Sequence, residues 1–174
     1  ISSRIKSADS IARKMRINNR ELTVENIIRY VNDVAGVRII CTFTSDIYRI
    51  ADAIAKQSDV TVLRVKDYIA NPKPNGYTSY HMIVSIPIFL SNDKIDTKVE
   101  IQIRTIAMDF WASLDHELHY KQENDYEELF EVEEELRQCA DVISQTDLKM
   151  QAIRQKIYGE ESLEKKRGED GEWS

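Results

Sequence analysis

The sequence predicts an α+β fold, a mixed β-sheet of at least four strands flanked by helices and continued by a C-terminal helical extension. Three observations carry this reading. Apolar, β-branched runs of strand length are interspersed with stretches whose apolar residues recur at helical spacing. Only five Gly and three Pro interrupt a chain that is 42% hydrophobic and 31% charged, the composition of a core-forming globular protein rather than a disordered or fibrous one. Its 174 residues suit one domain with at most an appended helical segment.

Taken in order, Ser7 to Met15 reads as a helix with Ser7 or Ser10 as N-cap. Thr23 precedes Val24, Ile27, Ile28 and Val31, whose i, i+3, i+4, i+7 spacing makes one apolar helix face. Gly36 to Thr44 is a β-branched run and reads as a buried strand. An amphipathic helix follows over Asp46 to Lys56, then a strand over Val60 to Val65. Asn71-Pro-Lys-Pro-Asn-Gly76 is the strongest loop signal in the chain. Tyr80 to Leu90 and Lys98 to Arg104 read as strands joined by a turn over Ser91 to Lys94, and Pro87 makes the first overrun the sheet edge or end in a bulge. Ile106 to Lys121 is helical, with Phe110 and Trp111 ahead of Leu114 and Leu118 as core. Tyr126 to Tyr158 forms one or two long acidic helices. Their stripe of Leu129, Val132, Leu136, Ala140, Ile143 and Leu148 serves either as core or as an interface. The expected organisation is a domain over 1–121, a helical extension over 122–158 and a frayed polar tail over 159–174.

Charge is unevenly distributed behind the net −6. Residues 1–80 carry 13 Lys/Arg and 8 Asp/Glu, residues 81–120 carry 3 and 6, and residues 121–174 carry 8 and 16. The basic first half anticipates an anionic ligand, and the acidic last third argues against long duplex nucleic acid as the main partner. Two cysteines, Cys41 and Cys139, make no disulfide framework, so a reducing, cytoplasmic compartment is expected. No apolar run reaches the roughly 18 to 20 residues of a membrane span, so no membrane partner is expected. The first residue is Ile1 rather than Met, which leads us to expect residues upstream of it.

Candidate chemistry concentrates in three segments. In Val99-Glu-Ile-Gln-Ile-Arg104, strand alternation sends Val99, Ile101 and Ile103 to a core and Glu100, Gln102 and Arg104 to the opposite face. An ordinary solvated sheet face has the same pattern. Asp33-Val-Ala-Gly-Val-Arg38 puts a carboxylate just ahead of a strand and an arginine within it, with Gly36 allowing close backbone approach. If the two strands are neighbours, Asp33 and Glu100 are placed to share a divalent ion. Mg²⁺ suits such a pair, being held by one or two carboxylates with substrate phosphates and water.

The cations Arg4, Lys6, Arg38, Arg64, Lys66 and Lys73 fall on strands, loops or helix entries where side chains can converge on one anion. Arg offers a planar fork and a stacking surface, Lys a point charge; solvated surface charge is the plainer reading. No GxxxxGK[ST] phosphate loop occurs. In Asn75-Gly-Tyr-Thr-Ser-Tyr-His81, a turn presents Tyr77 for stacking on a purine, with Tyr77, Ser79 and His81 alternating onto one face. A hairpin turn leading into an amphipathic strand reads equally well there. His116 and His119 lack the spacing and companions of a zinc site and are read as surface or interface residues. Cys41, inside an apolar strand, is a structural thiol.

Together these segments resemble the synthetase domain of the RelA/SpoT family, which makes guanosine tetra- and pentaphosphate. The resemblance rests on Arg4-Ile-Lys6, Asp33-Val-Ala-Gly-Val-Arg38, Arg64-Val-Lys-Asp-Tyr68, Lys73-Pro-Asn-Gly-Tyr-Thr-Ser-Tyr-His81 and Val99-Glu-Ile-Gln-Ile-Arg-Thr105, in family order over about residues 1–121. The helical tail with Leu148-Lys-Met150 resembles the stand-alone small alarmone synthetases, in which terminal helices assemble a homotetramer.

The resemblance implies a nucleotidyltransferase-like fold and transfer of the β,γ-diphosphate of ATP to the 3′-hydroxyl of GDP or GTP, releasing AMP. It implies that Asp33 and Glu100 bind Mg²⁺, that Glu100 is also the base for the acceptor hydroxyl, and that Arg4 and Arg38 sandwich adenine. Lys6 then contacts the phosphates of ATP and Tyr77 stacks on guanine, while Lys66, Lys73, Asn75, His81, Gln102 and Arg104 line the nucleotide sites. Thr78 stands where many members carry Arg or Gln, and Arg64-Val-Lys-Asp67 follows the basic version of its motif, two features tied to acceptor choice. A His-Asp dyad of the hydrolase type is missing, so synthesis without degradation is expected. Alarmone or single-stranded RNA is a candidate effector. The competing reading is a catalytically silent nucleotide- or RNA-binding module of the same fold; intact Asp33 and Glu100 argue against it.

Overall fold

The computed structural model describes residues 1–31, 33–89, 94–120 and 126–159, with the side chains of 119–120 and 126–131 left aside. Five strands, β1 (Ser2–Ile5), β2 (Ala35–Cys41), β3 (Thr61–Asp67), β4 (Tyr80–Phe89) and β5 (Lys94–Thr105), form one mixed sheet in the order β1-β2-β5-β4-β3. Only the β2–β5 pair is parallel. The helices are α1 (Ala8–Ile17), α2 (Val24–Tyr30), α3 (Thr44–Ala55), α4 (Ile106–Tyr120) and α5 (Tyr126–Tyr158). The α+β architecture read from the sequence is the one observed, with β1 added at the edge.

Strand alternation sorts the sheet into two faces. Met82 and Val84 of β4 join Ile101 and Ile103 of β5 on one side, where Ile47 and Ala51 of α3 and Met108 of α4 complete the core. The opposite face carries the polar members of the same strands. Cys41 lies at the end of β2, packed against the core, and burial pushes its thiol up to about 11, as befits a structural cysteine.

Helix starts follow capping chemistry. The Ser7 hydroxyl accepts the Ser10 N–H, so Ser7 is the N-cap of α1, and the Thr23 hydroxyl caps α2 through Asn26. The strand expected to reach Thr44 ends at Cys41, because α3 starts at Thr44 and Gln151 of α5, not the Phe43 side chain at the N-cap position, accepts the Ser45 N–H. Pro87 lies where β4 runs beyond Ser85, the last residue paired with β3, so it removes no bond from that ladder; the bulge sits instead in β3 between Val62 and Arg64. The turn expected at 91–94 and the tail from 160 onward lie outside the described residues, apart from Lys94, which opens β5.

Two packing expectations need correction, and the α5 stripe divides between its two alternatives. Val31, the C-cap of α2, is buried and Ile27 is partly buried, but Val24 and Ile28 are exposed, so the seven-residue helix covers the domain with a narrower face than its spacing implies. Trp111 is buried, whereas Phe110, Leu114 and Leu118 are exposed: one side of α4 alone faces the sheet and α5. In α5, a single helix, Ala140 is buried against the domain while Leu148 is exposed, and Asp147 takes the inward position instead. Among the described residues, no helix is long and apolar enough to cross a membrane.

Candidate active site

The register of β2 against β5 brings the predicted carboxylates together. Gly36 stands opposite Glu100 and Arg38 opposite Gln102, so Asp33, just ahead of β2, arrives at the same end of the sheet as Glu100. Both line a cavity of about 240 Å³ with Arg4, Arg38 and Gln102. Arg4 reaches it because β1 pairs antiparallel with β2, setting Arg4 against Gly36. A Cβ at Gly36 would meet Arg4 Cγ at 3.8 Å and Glu100 O at 3.9 Å, ordinary contacts, so crowding within the chain does not require this glycine, contrary to the sequence expectation.

Asp33 is held by two ammonium groups, Lys6 Nζ at 2.5 Å on one oxygen and Lys14 Nζ at 2.7 Å on the other. Burial works against its charge, but the hydrogen bonds and charges of Lys14 and Lys6 outweigh it and hold the carboxyl below the usual aspartate range. Lys14 escaped the sequence reading. Its signal was available: it neighbours Met15, the buried residue of α1, and so lies on the flank of the helix facing the domain.

Glu100 is also held below its usual range, chiefly by the hydrogen bond from His81 and against a burial that raises it. His81 Nδ1 lies 3.4 Å from Glu100 Oε1, and Gln102 Nε2 donates to Glu100 Oε2 at 3.2 Å. The nearby Asp33 charge acts in the opposite direction, as expected of two carboxylates sharing one space.

The network continues away from the carboxylates. The Tyr77 hydroxyl is 2.9 Å from His81 Nε2 and accepts from Arg104 Nη2 at 2.6 Å. Arg104 also donates to Ser79 Oγ, Gln102 Oε1 and Asp109 Oδ1, and Asp109 Oδ1 lies 3.4 Å from Arg38 Nη1. Arg104, expected to line a nucleotide site, borders a wider cleft beside Tyr77, though it is almost fully buried and its guanidinium is bonded to groups of its own chain. Tyr77 is no bare platform either: Lys73 Nζ stands 4.8 Å and Arg104 Cζ 5.2 Å from its ring centroid. Asn75 folds its side chain back to accept the Tyr77 N–H at 3.2 Å and so shapes the loop. Lys66 lies beside His81 across the β3–β4 ladder, on the site face. A cleft of about 720 Å³ runs from Arg4 and Arg38 past Tyr77 to His116 of α4.

A pair of carboxylates sharing one cavity, ringed by Lys and Arg and backed by a Tyr-His-Arg network, has the charge arrangement that phosphoryl transfer uses. A family model described as a region found in RelA / SpoT proteins matches residues 3–125. The chain is 44% identical over 155 residues to the GTP pyrophosphokinase YwaC of Bacillus subtilis, covering 89% of this chain and 73% of that protein. Among solved structures, small alarmone synthetase 2 of B. subtilis superposes with a TM-score of 0.79 at 42% identity, covering 89% of this chain and 79% of that one. Small alarmone synthetase 1 of the same organism, bound to its product pppGpp, also gives 0.79, at 35% identity, over 90% and 77% of the two chains. The chain belongs to the RelA/SpoT family.

Proposed function

We propose that this chain transfers the β,γ-diphosphate of ATP to the 3′-oxygen of GDP or GTP, leaving AMP and a 3′-diphosphorylated guanosine nucleotide. The observation that carries the reading is the cavity shared by Asp33 and Glu100, lined also by Arg4 and Arg38, with Lys6 paired to Asp33 and His81, bonded to Tyr77, beside Glu100. Arg4 and Arg38 serve the adenine of ATP and Lys6 its phosphates. Arg38 suits this role because it borders both the carboxylate cavity and the wider cleft, where its planar guanidinium offers a stacking surface.

Glu100, kept ionised by His81 and Gln102, accepts the proton of the 3′-hydroxyl as its oxygen forms a bond to the β-phosphorus and the oxygen bridging to the α-phosphorus departs with AMP. Tyr77 stacks on guanine, which requires Lys73 or Arg104 to yield one face of its ring. Lys66, Lys73 and Gln102 border the acceptor, whereas Asn75 and Arg104 act by holding Tyr77.

The donor set fits Mg²⁺. Asp33 and Glu100 supply two carboxylates, and among the described residues no group of three or more His, Cys, Asp or Glu suits a metal needing a fuller protein shell. Bound there, Mg²⁺ would offset phosphate charge during the transfer. With the ion on Asp33, Lys6 and Lys14, which neutralise that carboxylate here, would be free to bind phosphate oxygens.

Self-association belongs to the same reading. Val142, Leu148, Met150, Ile153 and Ile157 of α5 are exposed apolar side chains, which supports a homo-oligomer, tetrameric by resemblance, to be checked by light scattering. The unpaired cysteines support a cytoplasmic setting. Incubation with ATP, GDP or GTP and Mg²⁺ tests the reaction: AMP and the 3′-diphosphorylated guanosine nucleotide should accumulate together. Nucleotide binding without turnover would favour a silent module.

A further inference from the structure

We propose that α5 sets acceptor affinity through two anchors, Ala140 packed on Gly76 and the Asp147 carboxylate bonded to Thr105, making Asp147 a positioning residue for the guanine half of the site. The inference rests on the assignment of Tyr77 to the acceptor.

The first anchor is the turn that carries Tyr77. Gly76 has φ +86°, a conformation side-chain-bearing residues rarely adopt, and a Cβ there would lie 2.5 Å from Ala140 Cβ and 3.5 Å from Arg137 Cα. The loop backbone therefore lies directly on α5, with nothing between. Either demand alone would require glycine; together they fix both the shape of the turn and its seat on the helix.

The second anchor lies at the end of β5. The Asp147 carboxylate, nearly buried, accepts the hydroxyl of fully buried Thr105 at 2.7 Å. Thr105 Oγ1 in turn accepts the Met108 N–H at 3.2 Å, the N-cap bond of α4. A buried carboxylate is tolerated only when bonded, and here it also faces the positive end of a helix. Thr105 directly follows Arg104, whose guanidinium donates to the Tyr77 hydroxyl at 2.6 Å. Between the anchors, Trp111 Nε1 donates to Leu136 O of α5 at 3.0 Å while its ring stands edge-on to Tyr77, with centroids 6.4 Å apart.

Two routes thus run from α5 to Tyr77, one through the loop backbone and one through Thr105 and Arg104. The remaining cavity around Gly76, Trp111 and Asp147 is about 10 Å³, which leaves little play between helix and loop. Neither Ala140 nor Asp147 lines the cavity shared by the two carboxylates.

Isothermal titration of the full chain with GDP and, separately, with a non-hydrolysable ATP analogue tests the inference. Asp147→Ala and Ala140→Leu should each weaken GDP binding by about fivefold or more, in the usual range for coupled sites, and leave the ATP analogue unchanged. Thr105→Val should weaken GDP binding more than Thr105→Ser, which keeps the hydroxyl. Should Asp147→Ala fail to fold, Asp147→Asn and Ala140→Leu decide by the same criterion. Equal weakening of both nucleotides, or unchanged GDP binding, would overturn the proposal. If Tyr77→Ala loses GDP while the α5 variants keep it, this inference falls and the proposed function stands; a wild-type chain that binds neither nucleotide overturns both.

Discussion

Asp33 and Glu100 border one cavity, yet the two halves of the molecule that present them are built differently. On the donor side, β1 is exposed along its whole length, α2 buries none of its own residues, and Asp33 is neutralised by two lysines whose side chains remain partly accessible. On the acceptor side, Ser79 and Thr105 are fully buried, and Arg104 bonds to Ser79, Gln102, Tyr77 and Asp109. The contrast is one of side-chain freedom: the Asp33 side is held by long, partly accessible lysines, the Tyr77 side by a buried hydrogen-bond network from which only a cation over the Tyr77 ring has to move. Long ammonium side chains change partners and lose rotamer freedom on binding, whereas groups already fixed by buried hydrogen bonds lose little.

The comparison breaks most sharply at the base. Glu100→Gln keeps shape and removes charge, so turnover should fall by about 10² to 10⁴ from loss of general-base assistance alone, with the circular dichroism spectrum unchanged. Retention of more than half of the wild-type rate would remove Glu100 from that role. Metal removal probes both halves at once: excess chelator should abolish synthesis, and added Mg²⁺ should restore it.

Tyr77→Ala should raise the apparent KM for the guanine nucleotide roughly tenfold, from base–aromatic stacking worth ~1–3 kcal/mol, and leave that for ATP unaltered. Tyr77→Phe separates ring from hydroxyl. It keeps the stacking surface and breaks the bonds to Arg104 and His81, so a rise in KM here measures the fixed network itself.

A smaller effect sharpens the donor side. Asp33 has a folded-state pKa below its unfolded value, so its contribution to stability is complete above the ordinary aspartate range and is lost as pH falls through the folded value. Lys14→Met removes one of the two charges holding that value down. The urea midpoint of this variant, followed against pH, should therefore start its acid decline where wild type does but fall by less and level off at higher pH. Coincident acid limbs would show that Lys14 does not hold Asp33 in solution. Smallest of all, a thiol reagent at neutral pH should modify exposed Cys139 and spare Cys41, whose thiol is pushed up to about 11.

The strands were legible because β-branched runs and period-two alternation survive folding, and β5 presents Glu100 and Gln102 on the face read from that alternation. The site side chains Asp33, Glu100, Arg4 and Arg38 meet as expected because a parallel β2–β5 pair sets their register. What stayed hidden are groups whose role depends on a tertiary neighbour: Lys14, Asp109 and Asp147 look like any helical charge until their partners Asp33, Arg104 and Thr105 are placed beside them. Of the two alternatives read for the α5 stripe, core holds at Ala140 but not at Leu148, where a hydroxyl partner makes aspartate the inward residue one position earlier and leaves Leu148 exposed.

The parallel pairing of β2 with β5 also governs how the chain reaches its active form. Strands β3, β4 and β5 are consecutive and antiparallel, so they close over short stretches of sequence. Gly36 and Glu100, by contrast, are brought together across most of the sheet's length of chain, and loop-closure entropy delays such non-local pairings. Asp33 and Glu100 lie on opposite sides of that late seam. Completing the fold and bringing the two carboxylates together are therefore one event, because Asp33 and Glu100 share a cavity only once the parallel seam has closed.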